Sequence, residues 1–165
     1  MAEQFVGLRS SSSRAKTRTI KPCSRLEGEI VLPGDKSISH RAVILNSLAR
    51  GEAKIHNFAP GRDCLATARC LKRLGVKIGT QGTRDSPTLL VSGTGEDGLK
   101  EPSNVLDAED SATTMRLLGG LLAGQPFLSV ITGDSSLRNR PMGRLIEPLR
   151  LMGADIWGRG RDSFA

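Results

Sequence analysis

Lys36, Ser37 and Arg41 lie within the run Leu32-Pro-Gly-Asp-Lys-Ser-Ile-Ser-His-Arg41, and their types and spacing suit anion binding. Ser37 and Arg41 are four residues apart, so a helix through them shows both on one face, with Lys36 at its mouth. Asp35 or Ser37 can cap such a helix. A helix start offers unpaired N–H groups and the positive dipole end, where phosphate and carboxylate bind well. A capped helix with solvated charges has the same local pattern, so other stretches must decide. Leu106-Asp-Ala-Glu-Asp-Ser-Ala-Thr-Thr-Met-Arg116 reads as a second strand-to-helix turn. Gly133-Asp-Ser-Ser-Leu-Arg-Asn-Arg-Pro141 follows a strand and carries Arg138 and Arg140 just before a helix, and Asp63 begins another helix. Lys36, Arg41, Arg116, Arg138 and Arg140, recurring after strands, point to a substrate with several phosphates or carboxylates.

The elements that must place these groups alternate. Glu29-Ile-Val-Leu32 closes a strand expected over 26–32, broken by Pro33 and Gly34. A helix follows over 37–49, with Val43, Ile44, Leu45 and Leu48 apolar and Arg50-Gly51 as its C-cap. Next come a strand over 53–58 and a helix from Asp63 to Leu74, with Gly75 ending it. Strands over 76–79 and 88–92 complete a β-α-β-α-β-β unit. The order then starts again, with a strand at 104–106, a helix over 111–123 and a strand over 127–132. Pro141 suits the first position of a further helix, whose stripe is Met142, Leu145, Ile146, Leu149 and Met152. Pro148 inside it should kink it or cost about 3 kcal/mol. Gly153 caps this helix, and a strand is expected over 154–157. Leu71-Lys-Arg-Leu-Gly-Val-Lys-Ile78 parallels Leu149-Arg-Leu-Met-Gly-Ala-Asp-Ile156, 78 residues later. One supersecondary unit thus occurs twice. The second copy lacks its last strand, so a fragment, or a sheet completed by another chain, is expected. An open strand edge favours self-association or a partner half.

Composition narrows the classes. At 165 residues and 38% hydrophobic, the chain can build one core. With 3% aromatics and no Tyr, that core must be aliphatic. No apolar run approaches the ~20 residues of a membrane span. Residues 1–25 hold six Lys/Arg and one Glu of a chain whose net charge is +7. The excess is therefore concentrated in a tail and stacking residues are scarce, which argues against a nucleic-acid surface. Residues 1–20 lack the apolar core of a secretory signal and read as a flexible basic leader. Cys23, Cys64 and Cys70 form no CxxC, and His40 and His56 have no metal-ligand spacing. A reducing cytoplasm and no structural zinc are expected.

Three stretches together resemble the 5-enolpyruvylshikimate-3-phosphate (EPSP) synthase family: Leu32-Pro-Gly-Asp-Lys-Ser-Ile-Ser-His-Arg-Ala42, Ser111-Ala-Thr-Thr-Met-Arg-Leu-Leu118, and Arg138-Asn-Arg-Pro-Met-Gly-Arg144 leading into Leu149-Arg-Leu-Met-Gly-Ala154. The likeness runs from about Lys21 to Phe164. It implies an α/β architecture of the α+β type, built from repeated βαβαββ units of the enolpyruvyl transferase fold. One complete unit and most of a second are expected, with residues 21–165 as a partial N-terminal domain. The implied reaction moves the enolpyruvyl group of phosphoenolpyruvate to the 5-hydroxyl of shikimate 3-phosphate and releases phosphate, without metal or organic cofactor. By the family pattern, Lys36 touches both substrates and carries the catalytic assignment. Ser37 and Arg41 hold shikimate 3-phosphate. Arg140 and the backbone around Ala112 and Thr113 hold phosphoenolpyruvate. UDP-N-acetylglucosamine enolpyruvyl transferases have Lys-Asn where this chain has Lys36-Ser37, so they rank as a distant alternative. A non-catalytic anion-binding module of the same fold is another.

The second turn departs from the family's usual Gly-Asn-(Ala/Ser)-Gly-Thr, reading Glu109-Asp-Ser-Ala-Thr113 here. Glu109 and Asp110 place acids near an anionic ligand. The Ala112 methyl should crowd the inhibitor glyphosate, which fills the phosphoenolpyruvate pocket more fully. In a complete enzyme carrying this stretch, Ala112→Gly should lower the glyphosate inhibition constant; an unchanged constant would refute the expectation.

Overall fold

Asp35 starts the first helix by accepting the Ile38 N–H at 2.7 Å, and α1 runs Lys36–Leu48. The computed structural model describes residues 22, 25 and 27–159; the leader over 1–20, Cys23 and Leu26 lie outside them. The chain divides into Met1–Val31 and Leu32–Ala165. The strand expected over 26–32 does not form among the described residues. Residues 27–32 are in neither helix nor strand, and Ile30 and Val31 are 81% and 88% exposed. A strand is held by its ladder bonds, and these residues are in no ladder.

The unit from Leu32 onward follows the expected alternation with shifted ends. Ala49 caps α1 in an extended conformation, so Arg50-Gly51 does not end the helix but opens β1 (Arg50–Ile55). After α2 (Arg62–Arg73) come β2 (Lys77–Gly82) and β3 (Pro87–Thr94). The sheet order is β1-β3-β2 and both pairings are antiparallel, with Ala53 and Ile78 on either side of Val91. Ile78, Leu89 and Val91 are buried on its covered side, where α1 and α2 pack.

In the second half, β4 (Leu106–Asp107) and β5 (Ile131–Thr132) form a parallel ladder, so the strand expected over 127–132 shrinks to its last two residues. Ser111 caps α3 (Ala112–Leu122), and Asp134 caps the short α4 (Ser135–Arg138). The next helix, α5 (Gly143–Leu151), starts after Met142, which leaves Pro141 outside it, while Pro148 lies within. The repeat is visible in the backbone. Val76 N–H bonds Leu71 O and Gly75 N–H bonds Lys72 O, both at 3.1 Å; Ala154 to Leu149 and Gly153 to Arg150 repeat the pattern at 2.9 Å. Gly75 and Gly153 take φ of +92° and +95°, as this helix ending requires. Beyond it the copies diverge: 77–82 pair with β3, while 154–157 form no strand. No strand among the described residues pairs with that segment.

Both halves share one core, aliphatic except for the fully buried Phe58, that contains Leu71, Leu74, Leu89, Leu106, Met115 and Leu118. The face α1 turns inward is unusually polar: Ser39, His40, Val43 and Ser47 are buried, while Ile38 and Leu45 are exposed. Among the described residues no helix is long and apolar enough to cross a membrane. Gly34 lets the chain pass into α1: a Cβ there would lie 1.7 Å from Asn57 O and 3.3 Å from Ala59 N. Gly34→Ala should therefore lower the unfolding free energy in urea by roughly 1–3 kcal/mol, as overpacked sites do; a loss below the scatter of surface substitutions would show that the contact yields freely.

Candidate anion-binding site

Three helix starts converge. Lys36, the first residue of α1, donates to the carboxylate of Asp63 in the first turn of α2. The Asp63 carbonyl accepts from the Thr114 hydroxyl of α3 at 3.1 Å. Ser111, capping α3, accepts the Thr114 N–H at 3.1 Å, and its own hydroxyl, 2.8 Å from that of Thr114, is left to donate to it. Three positive dipole ends thus share one corner of the molecule, where free N–H groups and cations favour an anion. Beneath it, the Cys64 thiol donates to Lys36 O at 3.5 Å and the Cys70 thiol to Asp107 O at 3.3 Å. Burial pushes both thiols up to about 11, so they remain protonated donors.

The charges are arranged around that corner. The hydrogen bond to Asp63 raises the Lys36 ammonium above its ordinary value, and the charge of Asp110 adds to this. Asp110, in the second turn, therefore acts on the cation of the first. Glu109 points elsewhere: its carboxylate pairs with Arg69 and, at 3.6 Å, with Arg62 on α2. Its charge is largely answered there, whereas the charge of Asp110 adds to the field at Lys36. Glu109 has φ of +55°, a left-handed conformation that glycine adopts more readily. Its carbonyl accepts the Asp134 N–H at 2.7 Å, which ties the second stretch to the third.

The residues singled out in the sequence are distributed as follows. Ser37 and Arg41 are exposed on α1, and Arg41 Nη1 donates back to Ser37 O at 3.1 Å, which confirms their shared face. Ala112 and Thr113 are half-buried in the first turn of α3, Ala112 against the core. Arg140 follows α4; its N–H bonds Leu137 O at 3.0 Å and its side chain is exposed. No bond joins Arg138, Arg140 or Arg116 to Lys36 or Asp63; all three are exposed. Among the described residues, no three His, Cys, Asp or Glu side chains cluster as metal ligands. Trp157 stacks under Arg150, 4.6 Å from its ring centre, away from these turns in the contacts it makes.

Thr67 and Thr114 are the contributors that sequence reading missed. Both are fully buried hydroxyls in helices whose inward positions are otherwise mostly apolar. A polar residue in a buried stripe was the available signal, since it needs a partner.

Residues 20–165 match the family model described as EPSP synthase (3-phosphoshikimate 1-carboxyvinyltransferase). The 3-phosphoshikimate 1-carboxyvinyltransferase of Desulforudis audaxviator (strain MP104C) is 57% identical over 149 residues, covering 90% of this chain and 34% of the relative. That of Pelotomaculum thermopropionicum is 59% identical over 140 residues, covering 85% and 32%. A solved EPSP synthase from Acinetobacter baumannii has a TM-score of 0.76 at 42% identity, covering 84% of this chain and 31% of its own. The chain spans about a third of the length of the curated relatives it matches.

The Lys36–Asp63 pair sets a pH dependence. Chiefly through the Lys36 hydrogen bond, the Asp63 carboxyl is held below its ordinary 3.8. Its stabilisation is present above that value and is lost as pH falls through the lower folded one; the Lys36 part is full below 10.5 and lost as pH rises through its higher folded value. Lys36 is 55% exposed, so the pair contributes at most about 1 kcal/mol. The stability difference between wild type and Asp63→Asn should be flat near neutrality and shrink below about pH 4. A difference that persists undiminished into acid would refute the pairing.

Proposed function

The chain belongs to the EPSP synthase family, and from that premise we propose that it forms one wall of a site transferring the enolpyruvyl group of phosphoenolpyruvate to the 5-hydroxyl of shikimate 3-phosphate, in the shikimate route to aromatic amino acids. Residues 21–165 are then part of an N-terminal domain, acting in the cytoplasm with the remainder of the enzyme as partner. Lys36 faces both substrates. Ser37 and Arg41 hold shikimate 3-phosphate, while the N–H groups at Ala112 and Thr113, with Arg140, hold phosphoenolpyruvate.

The observation carrying this reading is the convergence of the α1, α2 and α3 starts on Lys36 and Asp63. Each substrate bears a carboxylate and a phosphate, and their mutual repulsion opposes the encounter. Fixed dipole ends and a lysine lower that repulsion without reorganising, which is usually the largest catalytic term. As phosphoenolpyruvate C3 takes a proton, C2 becomes cationic and the 5-hydroxyl oxygen attacks it, giving up its own proton, which in the net balance leaves with the phosphate. The tetrahedral adduct then loses phosphate and the C3 proton, restoring the double bond. Holding both substrates in contact is worth on the order of 7–11 kcal/mol at best and needs both walls of a cleft. One wall alone does not turn over.

Calorimetry of this chain with shikimate 3-phosphate tests the reading, since Trp157 fluorescence reports on Arg150 and its neighbours. Binding should be detectable and should weaken roughly tenfold or more in Lys36→Ala, the value of a charge-assisted hydrogen bond. Phosphate release should require adding the remaining two-thirds of a relative. Absent binding, or binding indifferent to Lys36, would overturn the proposal.

A further inference from the structure

Four buried groups that the substrate reading leaves unused run in a line across the three helices. His40 Nδ1 of α1 lies 2.7 Å from the Thr67 hydroxyl of α2. Thr67 lies 2.7 Å from the Thr114 hydroxyl of α3, and Thr114 reaches Ser111 Oγ at 2.8 Å and Asp63 O at 3.1 Å. All four residues are 0% exposed. Thr67 is hydrogen-bonded to both His40 and Thr114, so it is the pin between α1 and α3.

Proton counting gives the line a direction. Each hydroxyl has one hydrogen to donate. His40 Nε2 is buried with no partner. If Nε2 carried the proton, an N–H would be orphaned in the core, which is rarer than an orphaned acceptor. The neutral Nδ1–H form leaves only a bare lone pair. Nδ1–H then donates to Thr67, Thr67 to Thr114, and Thr114 to the Asp63 carbonyl. The imidazolium would again orphan Nε2–H. Burial, with the charges of Lys36 and Arg41 from α1, holds the ring's affinity for a proton down, against an opposing pull from Asp63 of α2.

We propose that this relay, pinned by Thr67, is a positioning device for the anion site: with His40 locked as the neutral Nδ1–H tautomer, it fixes the start of α1 against the start of α3. His40 lies one turn from Lys36, and Thr114 two residues from Ala112. A lost link between them shifts the lysine against the α3 N–H groups. The inference rests on the site reading above but makes a claim about the unliganded protein as well.

The test uses this chain labelled with 15N, the isosteric Thr67→Val, and the hydroxyl-keeping Thr67→Ser. Imidazole nitrogen shifts at neutral pH should show His40 as the Nδ1–H tautomer in wild type and Thr67→Ser, and lose that state in Thr67→Val. The amides of Ser37, Ala112 and Thr113 should move in Thr67→Val and return in Thr67→Ser. Shikimate 3-phosphate affinity should fall about tenfold in Thr67→Val and stay within about twofold in Thr67→Ser. A wild-type Nε2–H tautomer or imidazolium overturns the relay, and this reading needs no variant should Thr67→Val not fold. Unmoved amides in a folded Thr67→Val overturn the positioning role. If wild type binds no shikimate 3-phosphate yet shows the expected tautomer and amide changes, the substrate assignment fails and the relay stands.

Discussion

Crowding three positive helix ends into one corner is the constraint on which the rest of the unit depends. Like ends repel, so something must hold them. The core beneath supplies the bulk of the force through Leu71, Leu106, Met115 and Leu118, all fully buried. The Asp63 carboxylate supplies negative charge at the start of α2, where it holds Lys36 of α1, and its carbonyl holds Thr114 of α3. Polar side chains occupy positions that aliphatic ones would fill in an ordinary helix pair, and α1 turns Ser39, His40 and Ser47 inward as a result. Ser39 accepts the Ala59 N–H at 2.9 Å and Ser47 donates to Val43 O at 2.6 Å, so this inward polarity is largely satisfied.

The second turn shows how an unusual sequence is accommodated. Glu109 takes a left-handed conformation at φ +55°, one that glycine adopts more readily. The strain of such a residue is on the order of 1–3 kcal/mol. Against it stand the Asp134 N–H on its carbonyl, the Asp107 side chain accepting its own N–H at 2.7 Å, and two arginines on its carboxylate. The acid therefore serves the joint between stretches and does not line the anion corner.

Helix positions were the most legible part of the sequence because caps and periodicity are local. Asp35, Ser111, Gly75 and Gly153 mark ends that the structure keeps. Strands were less legible because a strand exists only with a neighbour. The runs over 27–32 and 154–157 have strand-like composition and no ladder, and Arg50-Gly51 looked like a helix end but pairs with Thr94 and Gly93. The turn of α1 that Ser37 and Arg41 share, with Lys36 at its start, was readable from spacing. The Asp63 contact joins residues 27 apart, and Thr67–Thr114 joins residues 47 apart. No local pattern encodes such pairings.

Gly34 leaves the approach to α1 one hydrogen wide against the Asn57 carbonyl. The path of the main chain into the first turn is consequently a fixed datum, closed to adjustment by substitution. Any change to the corner that Lys36 and Asp63 share has to be made through side chains further along, with the entry loop itself left untouched.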